Sequence, residues 1–322
     1  MRLCDLGVSI TGTWLEECVN RLHQEMAAKN LRFRAECYLS DEWLAPDKEP
    51  IIGIPFFLAH PALMKLERKM MLDVEGGTKE WCMKLLRHEA GHAINYAYKL
   101  YRRKKWREVF GYFSQEYEDT YIFRPYSRNF VRHLEDFYAQ YHPDEDFAET
   151  FAVWLTPGLD WAERYKGWKA LKKLKYVNDI MNDIQDKEPL AKKGKKYWEA
   201  SKLRSMLKNY YKKKRHFWAE DFPDFHDGNL KRMFVQDTDK TGSMPLAYKV
   251  IRKYQKQIRD SVSIWTGEKK YFIDDLIKTL IERSRYLDLY TQENESISVL
   301  KISSYITTSI MNHMYTGSFR GK

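Results

Sequence analysis

The sequence is poor in cysteine and has no long hydrophobic run. Its four cysteines are spread over the chain without a CxxC pair: Cys4, Cys18, Cys37 and Cys82. This spacing excludes a thiolate zinc knuckle and a CxxC redox motif. No apolar stretch is long enough to cross a bilayer, and Asp5 and Gly7 interrupt the first residues, where a secretory signal needs an apolar core. We therefore expect free thiols, no membrane span and a cytoplasmic protein.

Charge is distributed unevenly in this chain of 322 residues, of which 43% are hydrophobic and 31% charged, the balance of a folded protein. Residues 1–150 have 21 basic and 24 acidic residues, whereas residues 151–322 have 34 basic and 21 acidic residues. The segment Lys192–Arg215 alone has 11 basic residues and the single acid Glu199. Such a segment can attract nucleic acid or an acidic partner, and the alternative is a solvated helix face.

The first half of the chain has the patterns of a mixed fold. Hydrophobic spacing and capping residues predict helices at 13–30, 61–71, 78–101, 129–141 and 145–155. Alternation predicts a strand at 32–39, and the apolar run Ile51–Phe57 predicts an edge strand because Pro55 cannot donate to a sheet ladder. An exposed edge of that strand, at Ile52, Gly53 and Ile54, would suit an extended peptide, unless the later helices cover it.

Beyond residue 160 the pattern is almost wholly helical, interrupted by a predicted loop at 224–245. We expect an α+β, mostly α protein with a small mixed sheet. Residues 1–160 would form one domain, and residues 161–322 a basic helical domain. Six aromatic residues near the lysine-rich segment could stack on bases or pack in the core: Tyr197, Trp198, Tyr210, Tyr211, Phe217 and Trp218.

The helix predicted at 78–101 has the one motif that specifies a chemistry. His88-Glu89-Ala90-Gly91-His92 fits HExxH, in which histidines at i and i+4 of a helix face one metal ion. The glutamate after the first histidine reaches the water that the metal binds and acts as general base. The alternative is a helix whose two histidines are ordinary core or surface groups.

A catalytic zinc needs a third protein ligand and one open position. No histidine occurs from residue 93 to residue 132, which excludes a nearby third histidine. Glu145 and Glu149 would share one face of the next predicted helix. One carboxylate could bind the metal while the other accepts the free N–H of a ligand histidine. Glu145 could also simply begin that helix, where carboxylates favour the positive end of the dipole.

From about Ile51 to Pro157 the chain resembles the zinc-binding metallopeptidases of the gluzincin group, related in motif to the catalytic domain of anthrax lethal factor. The likeness is carried by the segment from Leu86 to His92 and by Tyr138-Ala139 ahead of the sequence HPDEDFAETFA, which begins at His142. The resemblance implies a zincin-like domain and a zinc-dependent hydrolase, a protease that cleaves peptide bonds.

The resemblance also implies individual roles. His88, His92 and Glu145 would bind zinc, because Ala148 stands three residues after Glu145 as in the ExxA pattern of the family. Glu149 would then support a ligand histidine. Tyr138, seven residues before Glu145, would stabilise the oxyanion, although Tyr141 could do the same. The competing hypothesis is a structural or inactive zinc protein whose basic helices bind nucleic acid or a protein partner.

Overall fold

The computed structural model describes residues 1–117, 124, 126–134, 137–215, 225–236 and 244–316. These residues form two compact units. The first comprises Met1–Glu67 and Val74–Leu207. The second comprises the described residues of Arg68–Asp73 and Lys208–Lys322.

The first unit is mostly helical with one small sheet, as the sequence predicts. Its elements in chain order are α1 (Trp14–Ala28), β1 (Glu36–Ser40), β2 (Ile51–Pro55), α2 (Pro61–Met71, whose last turn is counted in the second unit), α3 (Lys79–Ala97), α4 (Lys104–Phe110), α5 (Pro143–Leu155), α6 (Trp161–Arg164) and α7 (Ala170–Ile184). Threonines begin two of the helices. The side chain of Thr13 accepts a hydrogen bond from the backbone of Leu15, and that of Thr78 accepts one from Trp81, so each satisfies an N–H without a helical partner.

Helices α3 and α5 form the centre of the first unit and pack antiparallel. A Cβ atom built on Gly91 would lie 2.7 Å from Cα of Ala148 and 3.0 Å from its carbonyl oxygen. Gly91 is therefore required at this close approach of the two backbones, although glycine costs about 1 kcal/mol inside a helix. The approach brings the histidines of α3 within reach of the carboxylates of α5.

A buried ion pair fixes α3 against α1. The guanidinium of Arg87 donates from Nε and Nη2 to the two carboxylate oxygens of Glu25, at 2.7 and 2.8 Å. Both side chains are more than nine-tenths buried. A bidentate pair of this kind has one geometry, so it defines the rotation of α3 next to the HExxH motif.

The sheet consists of β1 and β2, which pair in parallel with Tyr38 opposite Gly53. The other edge of β2 is also occupied. The N–H of Gly53 donates to the carbonyl of Leu44 at 2.7 Å, and the N–H of Leu44 donates back at 3.3 Å. The bridge between Leu44 and Gly53 is antiparallel.

The chain after α5 returns along the same unit. Lys173 on α7 forms a 2.5 Å ion pair with Asp146 on α5, and the indole of Trp154 donates to Asn178 at 3.1 Å. Further along, the hydroxyl of Tyr38 donates to the carbonyl of Tyr197 at 2.8 Å. The predicted division at residue 160 therefore lies inside the first compact unit. As a division between functional domains it stays a prediction.

The second unit is built on three long helices. Its elements are α8 (Leu207–Arg215, which begins at the last residue of the first unit), α9 (Asp227–Met233), β3 (Val235–Gln236), α10 (Ala247–Thr266), α11 (Lys270–Tyr286), β4 (Leu289–Tyr290) and α12 (Glu295–Thr316). Strands β3 and β4 pair antiparallel. Among the described residues, no helix combines the length and the apolar character that crossing a membrane requires.

Two predicted elements are wrong. In the region predicted as a helix at 129–141, the described residues form only a 3₁₀ turn, Tyr138–Gln140, which follows Phe137 in a left-handed conformation with φ of 56°. The predicted loop at 224–245 contains α9 and β3, and its residues 224 and 237–243 lie outside the described chain. In both places contacts with distant residues override the local pattern.

Candidate metal centre

Three side chains from α3 and α5 converge on one point. Nε2 of His88 and Nε2 of His92 lie 3.2 Å apart, and Oε2 of Glu145 lies 3.1 Å from each of them. All three residues are buried, with 2%, 5% and 6% of their surface exposed. Within the described chain, this is the group of His, Cys, Asp or Glu side chains whose ligand atoms are close enough to hold a metal ion.

Each histidine ring also has a carboxylate at its other nitrogen, Nδ1. Nδ1 of His88 lies 2.9 Å from Oε1 of Glu149, and Nδ1 of His92 lies 2.8 Å from Oδ2 of Asp144. A carboxylate only accepts hydrogen bonds, so each Nδ1 donates its hydrogen, and in the neutral ring each Nε2 presents a lone pair. Histidines that bind metals in proteins are held in this way.

The resulting atom set fits a metal ion. Two imidazole lone pairs and a carboxylate oxygen, all acceptors, face one another at 3.1–3.2 Å, so they repel unless a cation lies among them. Ligands at about 2.0–2.1 Å from a tetrahedral centre lie about 3.3–3.4 Å from one another. The observed triangle is within about 0.3 Å of that geometry. One carboxylate and two imidazoles are a ligand set that zinc uses in catalytic sites.

The electrostatics also favour positive charge at this point. Burial lowers the pKa of His88, but hydrogen bonds to Glu145 and Glu149 outweigh it and raise the pKa to about 9. Burial likewise opposes the charge of His92, and Asp144 and Glu145 raise its pKa well above the usual value. The two histidines hold the pKa of the Glu145 carboxyl far below its usual value against the effect of burial. Without a metal ion, protons supply the charge that the site requires.

Glu89 lies beside this triangle on α3, with 7% of its surface exposed. Its carboxylate makes no hydrogen bond with any described residue, unlike the other three acids of the site, Asp144, Glu145 and Glu149. Burial raises the pKa of the Glu89 carboxyl, while the nearby His88 and His92 lower it. A buried carboxylate with free oxygens and a raised pKa has the properties of a general base.

Asp144 is a site residue that the sequence analysis missed, because the helix was predicted to begin at residue 145, directly after it. Oδ1 of Asp144 accepts from the amide of Asn95 at 2.7 Å, and Oδ2 accepts from the hydroxyl of Tyr96 as well as from His92. The signal available was the second nitrogen of His92, which needs a carboxylate or carbonyl partner. Glu149 lies beside His88, and its predicted role as the support of a ligand histidine stays a prediction.

The aromatic residues near the centre include the predicted tyrosines and one more. The ring centroid of Tyr138 lies 5.6 Å from that of His88, and the ring of Tyr141 lies 5.9 Å from Tyr138. Tyr117 was not predicted. Its hydroxyl donates to Oε1 of Glu145 at 3.0 Å, and its ring stacks on His142 with centroids 3.9 Å apart. No sequence motif marks Tyr117, which stands 28 residues before Glu145.

The predicted substrate strand does not have the open edge that the sequence analysis expected at Gly53. Ile52 and Ile54 are fully buried, and the outward N–H and C=O of Gly53 are bonded to Leu44. At Gly53 the edge is thus paired by a neighbouring loop, whereas the sequence prediction named the later helices as the alternative cover. A substrate backbone would have to displace Leu44 to pair there.

The basic segment Lys192–Arg215 is partly neutralised within the described chain. Lys192 pairs with Glu188, Lys196 with Glu36, and Lys202 with Glu199, each at 2.7 Å. Of the aromatic residues near it, Phe217 and Trp218 lie outside the described residues. Binding of nucleic acid or of an acidic partner by this segment stays a prediction.

Comparison with known families agrees with this geometry. Residues 82–213 match the model of the family described as "Putative zinc-binding metallo-peptidase". The match contains both histidines, Glu145 and the two carboxylates behind the rings, and it excludes Ile52–Ile54. No curated protein and no solved structure matches the chain. The family is thus described as zinc-binding, and the matched range contains the three side chains that could hold a metal ion.

Proposed function

We propose that this protein is a zinc-dependent metallopeptidase that hydrolyses peptide bonds. The observation that carries the proposal is the triangle of two imidazole nitrogens and one carboxylate oxygen, each 3.1–3.2 Å from the others, with Glu89 adjacent in the same helix. A structural zinc site would have four protein ligands, whereas three ligands leave a position for water or substrate.

The residues of the site divide the chemistry among them. His88, His92 and Glu145 would hold the zinc ion, which when bound would lower the pKa of a water molecule towards about 7 and polarise the scissile carbonyl. Glu89 takes a proton from the attacking water and delivers it to the leaving amine. Asp144 and Glu149 keep the two rings oriented with their Nε2 atoms towards one point.

Tyr138 is the proposed donor to the oxygen of the carbonyl under attack. Its ring lies beside His88, and Tyr141 is the neighbouring alternative. Loss of one such donor costs about 3 kcal/mol in other hydrolases. The glutamate ligand on a second helix is the basis for assigning the protein to the gluzincin type, and the relation to the lethal factor catalytic domain belongs to this proposal as well.

The substitution Glu89→Gln tests the proposal. It removes the base and none of the three ligands, so the purified variant should retain about one zinc per chain and lose cleavage of an unstructured protein such as casein. Glu80→Gln makes the same change at an exposed position in the first turn of α3 and should leave zinc content and cleavage unchanged.

Three results would contradict the proposal. If cleavage survives Glu89→Gln, Glu89 is not the general base. If that variant loses its zinc, Glu89 is a ligand. A wild-type protein that binds zinc but cleaves no peptide bond would favour the alternative of a non-catalytic zinc protein.

A further inference from the structure

A cleft of about 800 Å³ lies next to the metal centre in the first unit. Its walls include two groups already described, Tyr117 and Asp144, together with the aromatic residues Tyr96, Tyr101 and Phe113. None of the roles assigned so far uses this cleft. Its volume is in the range of sites that hold a small molecule or one to three side chains of a peptide.

The cleft has an excess of positive charge. Lys48, Arg102 and Arg107 lie along it, against the two acids Asp47 and Asp144. The carboxylate of Asp144 is already occupied by His92, Asn95 and Tyr96, and Asp47 lies 2.5 Å from Nζ of Lys48. Since these groups have partners within the protein, Arg102 and Arg107 are the charged groups of the cleft that a ligand would meet.

The two arginines are available to a ligand. Both are exposed, and neither guanidinium forms an ion pair with a carboxylate of the described chain. The Arg102 guanidinium lies over the ring of Tyr101, with its central carbon 5.8 Å from the ring centroid. Guanidinium groups bind carboxylates by paired N–H donors, which makes a carboxylate the ligand that this charge would recognise.

Aromatic rings form the rest of the wall. Tyr101 and Phe113 stack with ring centroids 4.3 Å apart, and Phe113 meets Tyr96 edge to face at 6.1 Å. Rings fixed in this way provide a rigid apolar surface for the aliphatic part of a side chain whose charged end reaches the arginines. A glutamate side chain has both parts.

Tyr117 connects the cleft to the reaction centre. Its hydroxyl is 3.0 Å from the Glu145 carboxylate, and its ring forms part of the cleft wall. The ring of Tyr117 thus separates the cleft from the proposed metal ligands. An extended peptide advances about 3.3 Å per residue, so this separation corresponds to about two residues of substrate.

We propose that this cleft binds a carboxylate of the peptide substrate, about two residues from the scissile bond, through Arg102 and Arg107. The inference rests on the proposed peptidase function. Two sources of the carboxylate exist, an acidic side chain and the C-terminus of a peptide, and the peptides used in the test separate them.

The test measures binding to the zinc-loaded Glu89→Gln protein, which does not consume its ligand. The probes are fluorescein-labelled decapeptides of one Ala-Ser-Leu scaffold that carry either Glu or Gln at a single position, each with a free and with an amidated C-terminus. Fluorescence anisotropy gives the affinities, and the wild-type protein is assayed in parallel for cleavage of the same peptides.

We expect the best Glu peptide to bind about tenfold tighter than its Gln partner. The double substitution Arg102→Gln with Arg107→Gln should abolish that difference, and Arg102→Glu with Arg107→Glu should reverse it, so that the Gln peptide binds tighter than the Glu peptide. Arg164→Gln removes the same charge from an exposed position outside the cleft and should change nothing. A preference that requires the free C-terminus would assign the carboxylate to the chain end.

Failure of this inference can be distinguished from failure of the proposed function. If the wild-type protein cleaves peptides without any preference for Glu or for a free C-terminus, the proposed carboxylate site is wrong, and the proposed peptidase function is not affected. A preference that depends on the arginines, in a protein that cleaves nothing, would support the carboxylate site and overturn the peptidase. A preference unchanged in the double variant, or no binding of any peptide, would overturn the inference.

Discussion

The carboxylate behind His92 offers a quantitative test of the metal centre. The substitution Asp144→Asn preserves the shape of the side chain but removes the charge that accepts from His92, Asn95 and Tyr96. The ligand triangle itself, His88, His92 and Glu145, is untouched. Any effect on zinc binding therefore passes through the orientation and basicity of the His92 ring.

The magnitude follows from that role. Removal of the partner behind a metal-binding histidine costs about 10- to 100-fold in metal affinity, which corresponds to about 1.4–2.7 kcal/mol. Asp144 also raises the pKa of His92, against the effect of burial, so the wild-type site loses more affinity to proton competition at low pH. The deficit of the variant should consequently grow as the pH rises from 6 to 8.

Competition with a chromophoric chelator measures both quantities. Asp179→Asn on α7 removes a charge at an exposed position and serves as the control, with unchanged affinity expected. A zinc affinity of Asp144→Asn within twofold of wild type would refute the assigned role. A deficit that shrinks as the pH rises would refute the electrostatic part of the reasoning.

Three further predictions concern stability and packing. Because the pKa of His88 is raised to about 9, its protonation stabilises the metal-free fold fully below pH 6.5, and this stabilisation is lost as the pH rises through about 9. The increase in thermal midpoint on adding zinc should therefore be larger at pH 9 than at pH 6.5. A smaller increase at pH 9 would contradict this prediction. Gly91→Ala should separate α3 from α5, lower the free energy of unfolding by about 1–3 kcal/mol in denaturant titration and weaken zinc binding; an unchanged zinc affinity would show that the close approach is not required. Arg87→Ala leaves Glu25 buried with only Arg21 beside it and should cost about 3–5 kcal/mol, whereas a loss below about 1 kcal/mol would argue against a rigid pair.

The sequence was sufficient for the parts of the site that depend on local geometry. The HExxH spacing predicts two histidines on one face of α3 because the residues at i and i+4 of a helix are neighbours. The same rule places Glu145 and Glu149 together on α5, where they contact the two nitrogens of one ring, that of His88. The bounds of α2, Pro61–Met71, also follow from the local pattern.

What the sequence did not predict depends on contacts between distant residues. The rotation of α5 on α3 determines which of the adjacent acids from Asp144 to Asp146 accepts from Nδ1 of His92, and no local pattern contains it. The failed helix at 129–141 has a similar cause. The backbone N–H groups of His133 and Leu134 donate to Oε2 of Glu149, and this tertiary contact competes with a helical path.

Contacts between distant residues also explain a helix of the second unit that the sequence did not predict. Helix α9 forms where turn residues predicted a loop. The carboxylate of Asp227 accepts two hydrogen bonds from Arg283 on α11, at 2.9 and 2.6 Å, and Nδ1 of His226 lies 2.6 Å from the hydroxyl of Tyr305 on α12. These partners stand more than fifty positions away, beyond the range of any helix signal in the sequence.

X-ray absorption at the zinc edge tests the central claim most directly, because it identifies the atoms around the bound metal. The protein loaded with one zinc per chain should show only nitrogen and oxygen neighbours at about 2.0–2.1 Å, with the outer scattering of two imidazole rings. The ring contribution should fall by half in His92→Ala. Sulfur neighbours at about 2.3 Å, or a spectrum that His92→Ala leaves unchanged, would contradict a zinc site at His88, His92 and Glu145.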